Sequence, residues 1–334
     1  MERNLLKTLP TEVFPLLDLP LNDILRLCRT ERYLNDIICK NKNFWLTLAS
    51  QRLSHNEETL HEMRDDPQIT PKNIIDDLHT IETTNPIEWV ELCARKGYEI
   101  PIMRNLANLL SFEVLRAFII ATLHGQRHIF DLLYDDPRIN ISIALMSAVE
   151  GGHEDLFEIL YHDKRLDNYF SVFDAFTEAV RVGNRKIFDI LYQDPRFDAR
   201  GINILLATAA ASGHDDIFDI LYPDSRITPH GVNGALIAAA RTGNKEIFNI
   251  LYSDVRINDV GVNAAFHNAA TFGQAEIFRI LDRDPRITQH ARDYALMEAR
   301  ERHHNNIVDI IQGARAGYKQ WLTGMLQSLQ QLRE

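Results

Sequence analysis

Histidine and cysteine are the side chains here that could do chemistry near neutral pH, so their spacing is read first. His153-Glu154 forms a histidine–glutamate pair. No second histidine follows at the spacing that grips zinc on one helix face, so it is not an H-E-x-x-H site. His303 and His304 are adjacent, and neighbours on a helix point apart rather than converge on one ion. Cys28, Cys39 and Cys93 lack C-x-x-C spacing and any histidine pair that would complete a zinc site. So sparse and odd a set predicts buried, reduced thiols and a reducing compartment, not a disulfide framework. Neither Cys39 nor Cys93 has an identifiable base to make it a nucleophile. G-x-S-x-G, phosphate-loop and dinucleotide-loop patterns are absent from the sequence. The expectation is no enzyme: no catalytic residue, no metal and no cofactor.

Composition narrows the class further. With 36 Lys+Arg against 47 Asp+Glu the 334-residue chain carries a net charge of −11. A duplex-binding face needs dense positive charge, so nucleic acid is not an expected partner. A hydrophobic content of 45% is ample for a core. Met1-Glu2-Arg3-Asn4 has no apolar run behind it, and the uncharged stretch from Gly201 to Gly213 is too short to span a bilayer. The expectation is a cytoplasmic protein with no membrane partner.

What must position any binding residues is a repeat. Ile129-Phe130-Asp-Leu-Leu-Tyr134 returns at Leu156, Ile187, Ile217, Ile247 and Ile277, with spacings of 27, 31, 30, 30 and 30, and a weaker copy starts at Ile307. Such a period predicts a stacked array. Within one unit, Ala235, Leu236, Ala239 and Ala240 form one helical stripe. Gly243 ends that helix in the left-handed conformation glycine permits. Ile247, Phe248, Ile250 and Leu251 form a second stripe, and a turn follows at Asp254. Each unit therefore reads as helix, tight turn, helix, loop. Ala148, Ala179, Ala209, Ala239 and Ala269 stand four before a glycine, where small side chains let first helices approach closely. Asp136/Arg138, Asp163/Arg165, Asp194/Arg196, Asp224/Arg226, Asp254/Arg256 and Asp284/Arg286 also recur. A pair present in every unit reads as a brace between units plus helix capping, with each exposed pair contributing ~0–1 kcal/mol.

The run Ala209-Ala210-Ala211-Ser212-Gly213-His214-Asp215-Asp216-Ile217-Phe218-Asp219-Ile220-Leu221 resembles the ankyrin pattern A-A-x-x-G-H-x-E-I-V-x-x-L-L, as does Gly152-His153-Glu154-Asp155-Leu156-Phe157. The resemblance runs from about Asn108 to Gly313, with a degenerate unit from Ile87. It implies an all-α ankyrin-repeat solenoid over 87–313. The T-P-L-H opening of that family is missing and the period is nearer 30 than 33, so short β-hairpin fingers and binding on the helical concave face are expected.

Residues 1–53 follow another pattern. Leu9, Pro10, Glu12 and Val13, then Asp23, Ile24, Leu25, Leu27, Cys28 and Thr30, then Phe44 and Trp45 resemble an F-box. Pro15 sits where its first helix should run on, so that helix is expected to be one turn long. The resemblance implies three short helices that dock on the Skp-type adaptor of a cullin–RING ubiquitin ligase, with Leu9, Pro10, Ile24, Leu25 and Leu27 as apolar anchors. Residues 54–86 read as a linker or a decayed half-repeat. Tyr318, Trp321, Leu322, Met325, Leu326, Leu329 and Leu332 place an amphipathic helix over 314–334, read as a cap on the last repeat.

In a repeat protein the constant positions hold the stack and the variable ones meet a partner. The variable positions stand five, two and one before each glycine and include Glu150, Glu178, Arg181, Arg241, Asn268 and Thr271. The irregular stretch Asp167 to Phe173 adds Tyr169 and Phe170, which read either as interface anchors or as filling of a widened gap. The two resemblances together imply a substrate receptor of an SCF-type ligase, as in large DNA viruses and intracellular bacteria. The alternative is an ankyrin scaffold or inhibitor with no ubiquitin coupling.

Overall fold

The computed structural model describes residues 17–30, 38–53, 63–66, 69–166 and 169–313. All their regular structure is helical, with no strand among them. The chain divides into two compact units, 1–172 and 173–334. Leu9, Pro10 and the expected helix over 314–334 lie outside the described residues.

The first unit holds α1 (Leu21–Thr30), α2 (Lys42–Arg52), α3 (Pro71–Thr83), α4 (Pro86–Lys96) and α5 (Glu99–Asn105). It continues with α6 (Ser111–Leu123), α7 (Arg127–Leu133), α8 (Ile141–Gly151) and α9 (Glu154–Tyr161). Pro20 precedes α1, and Asn41 caps α2 by accepting from the amides of Asn43 and Phe44. Phe44 and Trp45 are fully buried, edge-to-face at 5.2 Å. Ile24 is fully buried too.

The described part of residues 1–53 is in contact with the helix that follows it. α1 and α2 both pack on α3. Arg52 donates to the Leu17 and Leu19 carbonyls, and the Ile100 amide donates to Leu53 O. The 54–86 segment thus contains an ordered helix, whose Ile74 and Leu78 are buried. A segment this short buries too little apolar surface alone and shares its neighbour's core. Cys28 and Cys39 form a disulfide with Cα atoms 6.0 Å apart, which corrects the expectation of three reduced thiols. Count and spacing address frameworks and metal sites; one pair is decided by the fold that brings two Cα atoms within reach. Cys93 is free and buried, and burial, then the Asp77 charge, push its thiol up and out of nucleophilic use.

The second unit is the regular one. α10 (Tyr169–Val182) begins at its edge, followed by α11 (Arg185–Tyr192), α12 (Ala199–Ser212), α13 (Asp215–Leu221) and α14 (Pro229–Thr242). After these come α15 (Lys245–Tyr252), α16 (Asp259–Thr271), α17 (Ala275–Leu281) and α18 (Gln289–Glu301). Tyr169 to Phe173 are helical, not loop. The long first helices α12, α14, α16 and α18 pack in series, and each short second helix packs against its own first helix or the next short one. Asp198, Thr228, Asn258 and Thr288 cap the first helices by accepting an amide three residues on. Gly213 and Gly243 end α12 and α14 at φ of 75° and 87°. Ala209, Ala239 and Ala269 are fully buried where first helices meet. Ile217, Phe218 and Leu221, with their counterparts in each unit, line the second layer of the core.

Candidate functional site

Three ties hold neighbouring repeats together, and they settle which residues are left for binding. The first is the recurrent Asp-x-Arg. Asp254 accepts from the Arg256 amide and guanidinium, and from the Tyr222 hydroxyl of the preceding repeat at 2.5 Å. The same tyrosine–aspartate bond joins Tyr134 to Asp163, Tyr192 to Asp224 and Tyr252 to Asp284. Arg226 reaches back to Phe197 O, and its guanidinium carbon lies 5.2 Å from the Tyr192 ring centroid. The aspartates are not exposed: the Asp284 side chain is 2% accessible. Each pair thus joins a buried aspartate to an arginine that keeps about a third of its side chain or more accessible, which is more than an exposed pair. Hydrogen bonds from Arg226, opposed by burial and helped by Tyr192, hold the Asp224 carboxyl down at about 2. Asp163, Asp254 and Asp284 are lowered the same way.

The second tie uses the residue after the turn glycine in several units, and after His303 in the last. Its side chain donates to a carbonyl two residues before the previous glycine: Gln126 to Arg95, His153 to Leu123, His214 to Arg181, Gln274 to Arg241 and His304 to Thr271. Asn244 does the same to Ala211. A carbonyl only accepts, so the histidines carry their proton on Nε2. Each such side chain lies on the preceding glycine: a Cβ on Gly183 would sit 2.5 Å from the His214 ring. These histidines tie repeat to repeat. His303 takes φ of 59° where other units have glycine. Among the described residues no His/Cys/Asp/Glu cluster could hold a metal.

The third tie was missed at the sequence level. Asn203 and Asn233 each donate to a carbonyl four residues back and accept the amide of Thr228 or Asn258 in the next repeat. The carboxamides fill the space that a Cβ on Gly231 or Gly261 would need, 1.8 Å away. Its signal was legible as Gly201-Ile-Asn203, Gly231-Val-Asn233 and Gly261-Val-Asn263.

With these residues engaged, a groove of about 790 Å³ remains on the first helices of the second unit. Ala207, Ala211, Gly234 and Ala238 line it, and a Cβ on Gly234 would meet nothing within 4 Å. Arg181, Arg200, His230 and Arg241 also line it, and no carboxylate does. Arg181 is paired with Glu178. Arg200, His230 and Arg241 are exposed and have no side-chain partner among the described residues.

The predicted target-facing residues fare unequally. Arg181 and Arg241 line this one groove. Glu178 is buried beside Arg181. Asn268 is half-buried, its amide donating to Ala264 O. Thr271 is buried, and its hydroxyl has no partner among the described residues. Its backbone carbonyl takes His304 as the Arg241 carbonyl takes Gln274, but threonine is too short to reach solvent from that position. Glu150 is exposed in the first unit. Phe170 is 71% exposed, with the Tyr169 ring edge-on at 5.7 Å. Of the expected adaptor anchors, Ile24 lies in the core and Leu25 and Leu27 keep partial exposure. Arg200 and His230 were not singled out, because they open their helices instead of standing at a fixed distance from a glycine.

No protein-family model matches the chain, and no curated protein matches it either.

Proposed function

We propose that this chain is a non-catalytic substrate receptor of an SCF-type cullin–RING ubiquitin ligase, acting in the cytosol. The F-box-like segment docks on the Skp-type adaptor through Leu25 and Leu27 of α1, joined by Leu9 and Pro10. The ankyrin-like repeats hold the target protein. Holding both at once raises the local concentration of target at the ligase. The observation that supports the target-holding half is the groove on α12 and α14, where constant residues are engaged in ties and Arg200, His230 and Arg241 have no side-chain partner among the described residues. The adaptor half rests on the motif Leu9-Pro10 to Trp45.

A second reading, a scaffold or inhibitor without ligase coupling, draws on the packing of α1 and α2 upon α3 and on the burial of Ile24. These make the segment a cap of the first unit. Co-precipitation of the adaptor with wild-type chain and with Leu25→Glu/Leu27→Glu separates the two. Receptor function requires recovery by wild type and loss in the double variant. No recovery by a folded wild-type chain leaves the scaffold reading.

A further inference from the structure

We infer that the groove on α12 and α14 takes an extended acidic segment of the target protein, with carboxylates at both ends of a short apolar stretch. The inference rests on the reading of the repeats as the target-holding face and names the chemistry of what they hold.

The argument begins from internal comparison of repeats that are otherwise nearly uniform. The positions equivalent to Gly234 in the flanking repeats are Asp174, Ile204 and Ala264. Glycine within a helix costs about 1 kcal/mol relative to alanine, and here no neighbour demands it, since the space above is open. Ala207, Ala211 and Ala238 continue the same low floor. The volume falls within the roughly 300–1,000 Å³ of sites that enclose most of a small ligand.

Charge then specifies the occupant. Arg200 and His230 sit in the first turns of α12 and α14, and Arg241 sits in the last turn of α14; Arg181, in the last turn of α10, is held by Glu178. His230 and Arg241 are eleven residues apart on one helix, about 16 Å at 1.5 Å per residue. A strand rising about 3.3 Å per residue covers that distance in roughly five residues. The groove is thus cationic at both ends and apolar between, on a chain of net charge −11. An acidic–apolar–acidic peptide matches both the order and the span. A nucleic-acid strand matches poorly: apart from His230 the lining offers no ring for a base to stack on.

The test is fluorescence anisotropy of the full-length chain at low salt. The probe is a labelled peptide with paired glutamates at each end of a short apolar stretch. A lysine-for-glutamate peptide and a labelled oligouridylate serve as competing ligands, and adaptor co-precipitation is run on the same preparations. The glutamate peptide should bind best. Arg200→Glu/Arg241→Glu should weaken it by roughly tenfold or more, as attraction at two exposed sites turns to repulsion. Gly234→Leu, which fills the floor without touching charge, should weaken it as well. Both variants should stay folded, with Gly234→Leu no less stable than wild type, and both should keep adaptor recovery. Equal binding of the glutamate and lysine peptides, stronger binding of the oligouridylate, or unchanged affinity in both folded variants would overturn the inference. Adaptor recovery judges the ligase reading separately, so the two can fail independently.

Discussion

Between α12 and α18 every tie is made several times, whereas between α1 and α5 each is made once. In the first region tyrosine, aspartate and arginine recur at a fixed period, and so do the post-glycine donor and the Gly-x-Asn clamp. In the second region a lone cluster does comparable work: buried Asp77 accepts from Lys96 at 2.7 Å and from the Tyr98 hydroxyl at 2.8 Å. Burial and the Asp77 charge push the Tyr98 phenol up, so it stays a donor. Arg52 on the Leu17 and Leu19 carbonyls is equally singular. Redundant ties spread the effect of losing any one; a singular tie concentrates it. Redundancy also leaves the positions between ties free to vary, and the groove lies there.

The contrast yields measurable consequences. Asp77→Ala should have the largest effect, about 2–4 kcal/mol off the first unit, because it orphans the buried Tyr98 hydroxyl and removes the Lys96 partner. Denaturant unfolding measures it, and a loss below that of the periodic aspartates would break the comparison. Asp224→Asn comes next, at about 1.5–3 kcal/mol. It also carries a pH signature. The folded carboxyl lies at about 2, below its ordinary 3.8. Its stabilisation is therefore complete above about pH 4 and is lost as the pH falls towards 2. Acid titration followed by circular dichroism should show a shallower acid limb in the variant.

Tyr222→Phe removes only the hydroxyl that Asp254 accepts, leaving Arg256 on that carboxylate; about 0.5–1.5 kcal/mol should be lost. Gly234→Ala should give the smallest change and the opposite sign, a gain of about 0.5–1 kcal/mol in the second unit. A loss there would mean that the open space above Gly234 is closed in solution.

The periodic ties explain why the second unit was legible. Six copies of one apolar block and a glycine at constant phase predicted the helix pairs, the left-handed turns and the alanine contacts, all of which the fold contains. The Asp-x-Arg brace was legible as a brace, but its tyrosine partner in the preceding repeat was not, since spacing along the chain does not say which repeat a side chain reaches. Thr271 shows the same limit from the other side. Its register marked it as variable and outward, yet its length and the His304 contact on its carbonyl bury it.

The sequence by itself determined the all-helical repeat in the second unit, because burial of an amphipathic stripe is a local periodic requirement that each unit repeats. It also determined that no residue set for metal or nucleophilic chemistry was written at a recognisable spacing. Only the tertiary structure decided that α1 and α2 share a core with α3, and that Cys28 meets Cys39. It alone brought Arg181, Arg200, His230 and Arg241 to one groove. Those outcomes depend on distances between segments remote in sequence, and such distances are fixed by packing volume, which no local pattern encodes.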